Sequence, residues 1–435
     1  MSGPRDPDRQ APAYTLAGWQ SLHRTARVLL LARLVRSIGQ GALVVDFILY
    51  LRALHWSAVA TGELVAVAGI ISTAIMLASG VLSDRFGRRP FLVGYQLVTV
   101  VGSIAMVLHP HAWVLIVVSV LLGYGRGANG SAGAFGPVEQ AWLAQAVDRQ
   151  KRGQVFSING ALGFWGMGLG ALIGSAVPWF QHFLPGNAAY QPLFVLSFVI
   201  AVINTAQVLS IRGADLPPRT AESTAMRTNE PVSTAPADAS VRRRENVAMT
   251  LLTTVNSVNA LGIGLFSPLL PYWLSVRFGV GNGAIGSVYG ITFLLTGVAS
   301  IATGELTTKI GLVRSVVWVR LGGVLTLAVM PLVPSFGWVA VLYVVRSLLN
   351  RGTAGVRQAF GVGLVRDERK GLASSLNGLS MRLPSAIGPA ITGWLIDNGS
   401  LDLPFYLAAG LQLLYLVLFG TLMRPYESAP EASGT

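Results

Sequence analysis

The chain has no cysteine among its 435 residues, which excludes disulfides, thiolate metal sites and cysteine nucleophiles. Histidine is nearly as scarce. His23, His55, His109, His111 and His182 are scattered, and none forms the His-x-x-x-His or His-Glu pair of a helical metal site. No Gly-x-x-x-x-Gly-Lys-Ser/Thr phosphate loop occurs, so an ATP-driven pump is disfavoured. The shortage of charge is the most informative. Charged residues make up 12% of the chain and hydrophobic ones 52%, with a mean hydropathy of +0.57, whereas soluble chains carry about 25% charged residues. So little charge cannot cover a large water-exposed surface, and a soluble enzyme, a disordered protein and a coiled coil are all excluded. The opening MSGPRDPDRQAPAYTLAGWQ has no short apolar core before a small-residue cleavage site, so no cleaved signal peptide is expected.

What is present is a series of long apolar runs. A spanning helix needs about 20 mostly apolar residues, and twelve runs meet that requirement. They are Leu29–Leu51, Val59–Leu82, Pro90–Leu108, Trp113–Phe135, Val155–Phe180 and Leu193–Ile211, then Val247–Leu274, Ile285–Leu306, Val316–Val333, Trp338–Val362, Leu372–Ile396 and Phe405–Met423. Spanning strands would alternate polar and apolar residues, and VLIVVSVLLG does not. The predicted class is therefore all-α integral membrane, with twelve transmembrane helices. Between the sixth and seventh runs, Pro217, Pro218, Pro231 and Pro236 mix with Ser, Thr, Ala and charges, a composition that cannot bury a core and reads as a flexible linker. The expected organisation is an N-terminal segment 1–28, a six-helix bundle 29–211, a linker 212–246, a second six-helix bundle 247–423 and a tail 424–435.

The net charge of +13 would suggest nucleic-acid binding in a soluble protein, but its distribution gives another reading. Lys and Arg mark cytoplasmic loops, and they collect in the N-terminal segment, at Arg85, Arg88 and Arg89, at Arg149, Lys151 and Arg152, in the linker, at Lys309 and Arg314, at Arg366, Arg369 and Lys370, and at Arg424. The opposite face has only Arg52 and Arg277. Both termini and the linker are thus predicted to be cytoplasmic, in a multi-pass protein of the cell membrane. A second set, Arg33, Arg36, Arg126, Arg320, Arg346, Arg351, Arg357 and Arg382, falls inside the runs.

The two halves echo each other. Gly39-Gln-Gly41 matches Gly262-Ile-Gly264, Gly80 and Gly87 match Gly304 and Gly311, and Arg126-Gly-Ala-Asn129-Gly130 matches Arg351-Gly-Thr-Ala-Gly355. Gln140-Ala141, Gly153, Ser157 and Asn159-Gly160 match Gln358-Ala359, Gly371, Ser375 and Asn377-Gly378, and the order never changes. Duplicated six-span halves place a substrate site near the midplane between them and alternate its access by rocking.

Between the second and third runs stands Gly80-Val-Leu-Ser-Asp84-Arg85-Phe-Gly87-Arg88-Arg89-Pro90, which resembles the loop signature of the major facilitator superfamily. With twelve spans, a central linker and the repeat, the resemblance covers nearly the whole chain. It implies that Gly80, Asp84, Arg85, Gly87, Arg88 and Arg89 belong to a gate holding the halves closed on the cytoplasmic side; the alternative is a plain positive anchor. The second copy has Glu305 and Lys309 but no Asp, so its gate should be weaker. The segment Arg126-Gly-Ala-Asn129-Gly130 resembles a fourth-span signature of proton-coupled members, strongest in exporters. The fifth run lacks the Gly-Pro pair usual in exporters, while the eleventh has Gly388-Pro389, which leaves the direction open.

From the residues themselves, Arg126 lies about 20 Å along a helix from Trp113, too deep to snorkel, and is expected to face a polar cavity, a carboxylate or a packing partner. Its natural partner is Asp46, near mid-depth if Arg36 snorkels to the cytoplasmic surface. Asp46 then cycles a proton, or else sits wetted at the extracellular mouth. Arg351 and Arg382 also fall near mid-depth and would make the cavity positive, favouring an acidic or amphipathic cargo, although Arg346, Arg351 and Arg357 have helix bridging or contact with Glu139 as alternatives. Glu139 and Arg357 occupy equivalent repeat positions and are expected to form an inter-half ion pair gating the cytoplasmic side. Pro268 and Pro271, with Asn256 and Asn259, predict a kinked seventh span lining the cavity, while Tyr272 and Trp273 are expected in an interface belt. The leading reading is a monomeric proton-coupled secondary transporter, not an enzyme, that exports a drug-like or amphipathic small molecule. It uses protons and the lipid bilayer and needs no cofactor, metal or nucleic acid. The alternatives are a proton-coupled importer of an organic anion and, more remotely, a membrane sensor.

Overall fold

A computed structural model describes residues 16–109, 111–125, 135–148, 151–211, 236–302, 312–352, 357, 360, 361, 364–366 and 369–426. Every regular element among them is a helix, as lipid demands, since a helix satisfies its own backbone donors and acceptors where no water is available. Helix starts are set locally: the Ser57 hydroxyl accepts the Ala60 N–H at 3.1 Å, and the His23 ring accepts that of Thr25 at 3.3 Å.

Among the described residues, nine stretches are helical, long and apolar enough to cross a bilayer: 24–53, 58–80, 88–108, 152–180, 186–210, 240–278, 282–300, 313–332 and 403–422. They correspond to nine of the twelve runs. The other three are helical with interruptions or charge. The fourth run was expected to be continuous but stops at Leu122, because Gly123 takes a left-handed cap at φ +71° and Gly125 follows at +75°. A second helix, Phe135–Gln145, continues toward the next loop. The tenth, Phe336–Gly352, and the eleventh, Lys370–Asp397, carry Arg346, Arg351 and Arg382, which lowers their hydropathy. The seventh breaks over 267–269, between Pro236–Phe266 and Leu270–Phe278, where Pro268 cannot donate to the helical ladder. The kink predicted there is present.

The repeat can be followed in the packing. In the first half, the first span lies against the fifth so closely that a Cβ on Gly41 would stand 2.1 Å from the Met167 carbonyl oxygen. In the second half, a Cβ on Gly264 would stand 2.2 Å from that of Ser385 in the eleventh span. Gly39 faces Ile200 of the sixth span, and Gly262 faces Ala408 and Gln412 of the twelfth. The fold is therefore two pseudo-symmetric helical bundles. They meet through the second span against the eleventh and the fifth against the eighth, where Gly62 would touch the Pro389 carbonyl at 2.2 Å and Gly290 the Leu172 side chain at 2.6 Å. Small residues at such contacts let helices approach and slide. Outward, Val101, Trp318 and Leu325 are exposed, forming the apolar surface that lipid covers.

Candidate functional site

Between the halves lies a cavity of about 340 Å³, within the size range of small-molecule sites. Its wall carries five arginines: Arg320 from the ninth span, Arg346 and Arg351 from the tenth, Arg357 beyond it and Arg382 from the eleventh. No acidic residue is among the described residues lining it. The partners that hold three of these arginines are neutral. Arg320 donates from Nη2 to Asn259 Oδ1 at 2.7 Å and from Nε to Asn350 Oδ1 at 3.1 Å, beneath the Tyr415 ring. Arg346 donates to Gln412 Oε1 at 3.2 Å and lies over Phe266 at 4.2 Å. Arg351 lies over Phe293 at 4.9 Å and Phe164 at 5.6 Å. On insertion scales each arginine at mid-membrane costs roughly 2.5–3.5 kcal/mol, so five concentrate on the order of 10 kcal/mol of unfavourable free energy on one wall. Such groups are kept where they line a polar pathway.

At the end of the bundle opposite Arg24, Ile211 and Leu422, the described residues of the two halves are tied together. There Asp46 is fully buried, in the first turn of the helix that resumes after a break at Val45, a position where the helix dipole favours negative charge. Its Oδ1 accepts a hydrogen bond from Asn282 Nδ2 of the second half at 2.5 Å. Tyr190 in turn donates to Asn282 Oδ1 at 3.0 Å. Asp46 Oδ2 has no hydrogen-bond partner among the described residues, and it lies against Gly174, where a Cβ would sit 2.2 Å away. A second tie crosses the halves at the same end. The Asp397 carboxylate accepts the N–H groups of Ala58 and Val59 at 3.1 and 2.9 Å, capping the second span from the eleventh. Sequence reading missed Asn282 and Asp397; both sit at helix ends flanking short turns, and only their position opposite another half's helix start gives them a role.

Arg351 and Arg382 both line the cavity, with Arg320, Arg346 and Arg357. Asp46 is neither wetted nor at a mouth; its described partner is Asn282. Arg126, Asn129 and Gly130 lie outside the described residues. Arg36 does not snorkel: it is buried, stacked 3.9 Å over Phe135 and paired with Glu139. Glu139 therefore pairs within its own half, and Arg357 faces the cavity, so the expected Glu139–Arg357 pair is not formed. In the signature loop, the described hydrogen bonds of Arg88 and Arg89 lie within one half. Arg88 donates to the Ala141 carbonyl and Gln145 at 3.1 and 2.5 Å, and Arg89 to the Leu209 carbonyl at 2.6 Å. Gly87 makes the turn at φ +87°. Gly80 has open space where a Cβ would stand, and Arg85 is exposed over Phe86. Asp84 lies in the last turn of the second span's helix; its side chain, like all of Glu305 and Lys309, lies outside the described set. Trp273 is not an interface residue: it is buried against Phe405 and donates to Asp402 at 3.2 Å.

Comparison with known proteins agrees with this architecture. Solved structures of similar shape include an auto-inhibited POT family peptide transporter, 13% identical at a TM-score of 0.67 over 95% of this chain and 99% of that one. Another is the human organic anion transporter MFSD10 (TETRAN), 14% identical at a TM-score of 0.60 over 91% and 99%. Among curated relatives, the multidrug resistance protein MdtH of Cronobacter sakazakii is 28% identical over 155 residues, and that of Klebsiella pneumoniae 27%. Both matches cover 32% of this chain and 37% of the relative, so the likeness spans little more than a third of those proteins. The family model of the Major Facilitator Superfamily matches residues 29–258 and 252–435. The chain is thus a multi-span membrane transporter that belongs to the Major Facilitator Superfamily.

Proposed function

We propose that the chain is a proton-coupled secondary transporter that exports an amphipathic small molecule by alternating access. The observation that carries this reading is Asp46, a buried carboxyl that bonds across the halves at the end where they are tied together. An ionised carboxylate in a dry site without a cation costs several kcal/mol, so closure of this end and occupancy of Asp46 by a proton are linked. When the end opens, water replaces Asn282 and Asp46 takes up a proton from that side. The bound proton favours closure, and its release through the cavity to the opposite side as cargo binds lets a proton enter for the cargo that leaves.

Export is supported by the relatives named multidrug resistance proteins; a cavity reached from one side is a state that importers and exporters alike visit. Proton-coupled import of an organic anion is the second reading, favoured by the arginine wall.

The test uses the purified chain in liposomes, with fluorescein and rhodamine 123 as trial cargoes read after lysis at one pH. Exchange of cargo for protons predicts uptake driven by an acidic lumen. Uptake driven instead by an alkaline lumen supports the second reading, and transport indifferent to the gradient contradicts proton coupling.

A further inference from the structure

Four of the wall's arginines, Arg320, Arg346, Arg351 and Arg357, have no carboxylate partner among the described residues. Arg346 stands within Coulombic reach of Arg320 and Arg351, and Arg320 of Arg357. The hydrogen-bond partners resolved for Arg320 and Arg346 are amide side chains, which orient a guanidinium without neutralising it. Donors are left over as well. Nη1 of Arg320, Nε of Arg346, Nη1 of Arg351 and Nε of Arg357 are buried and have no acceptor among the described residues. Arg320 and Arg346 are themselves 2% and 7% exposed. Buried donors of this kind are ordinarily satisfied, and the four arginines that carry them line a cavity large enough for a small molecule. The rest of the wall is apolar and aromatic: Phe164, Phe266, Tyr343 and Met381.

We infer that this cavity binds an amphipathic organic anion, an aromatic body carrying two acidic groups. One group meets Arg346 and Arg351 and the other Arg320 and Arg357, while the body packs on Phe164, Phe266 and Tyr343. Planar guanidinium groups match carboxylate, sulfonate and phosphate oxygens in paired hydrogen bonds. The same wall rejects organic cations, because like charges facing each other in a desolvated site are strongly disfavoured. The assignment rests on the cavity being the transport site and names the class of its cargo.

The test is binding to the full chain in detergent at pH 8, followed by fluorescence anisotropy, with fluorescein as the dianion and rhodamine 123 as a cation on the same ring skeleton. Fluorescein is expected to bind at least about tenfold tighter than rhodamine 123. Arg346→Gln and Arg351→Gln should each weaken it by about tenfold, with Arg351→Lys retaining part of the affinity and the exposed Arg277→Gln leaving it unchanged. Unaltered melting temperatures separate loss of binding from loss of fold. Equal or tighter binding of rhodamine 123, fluorescein binding indifferent to both arginine variants, or displacement of fluorescein by an equal concentration of inorganic phosphate would overturn the assignment. Its failure differs from failure of the transport reading. Fluorescein that binds through these arginines yet never crosses a vesicle membrane sinks transport and leaves the ligand class standing; pumping of rhodamine 123 alone does the reverse.

Discussion

Arg36 and Glu139 show what a single residue can and cannot reveal. Both are charges inside apolar runs, which marks each as functional or paired, but they lie 103 positions apart, and nothing in the sequence joins them. Removing one partner of a buried pair leaves the other uncompensated, typically at a cost of about 3–5 kcal/mol. Arg36→Gln should therefore lower the melting temperature of the purified chain sharply, while Arg36→Gln with Glu139→Gln should recover most of the loss. A double variant no more stable than the single would show that the pair is not what holds these spans. Asp46 was legible as an acid within a span; its partner was not, because Asn282 becomes meaningful only when the eighth span's start is set against the first span's break. The intramembrane arginines were legible too, but their convergence on one wall depends on how three spans rotate, which periodicity in uniformly apolar helices does not show.

At the scale of elements, glycine does the most work that sequence half revealed. The repeat exposed Gly41 and Gly264 as equivalent landmarks, and both prove to be sites where one helix backbone rests on another. Gly388 is as tight, for its Cβ would stand 2.1 Å from the Gly264 backbone carbon. Gly388→Ala is expected to destabilise by about 1–3 kcal/mol through overpacking, whereas Gly378→Ala in the same span, with open space at its Cβ, should be neutral or slightly stabilising. Equal melting temperatures for the two variants would contradict the packing described. The fourth span shows the opposite outcome: its apolar run reads as one helix, yet Gly123 and Gly125 adopt positive φ and end it early. Hydropathy reports burial in lipid but is insensitive to the backbone conformation that two glycines permit.

For the whole molecule, class, span count and the duplicated halves were legible because lipid imposes length and composition on every crossing segment. The conformation was not, since hydropathy does not register which end of the two halves is held together. Absence of cysteine makes that motion open to direct test. Ser175 and Gly286 face each other at the tied end, with a Cβ on Gly286 3.0 Å from that of Ser175. Ser175→Cys with Gly286→Cys should crosslink on oxidation and stop transport, and reduction should restore it; undiminished transport by the crosslinked chain would rule out opening at this end. One dianion leaving for each proton that enters, as proposed, would move three positive charges inward, and at roughly 2.3 kcal/mol per charge per 100 mV the membrane potential would be a strong driving force.

Asp46 is the group proposed to join proton binding to closure. The direct measurement is Asp46→Asn in liposomes, comparing cargo uptake under an imposed pH gradient with cargo exchange at equal pH. The prediction is a fall in gradient-driven uptake of about tenfold or more while exchange persists, because the asparagine still fits beside Asn282 but carries no proton. Full gradient-driven uptake by Asp46→Asn would contradict it.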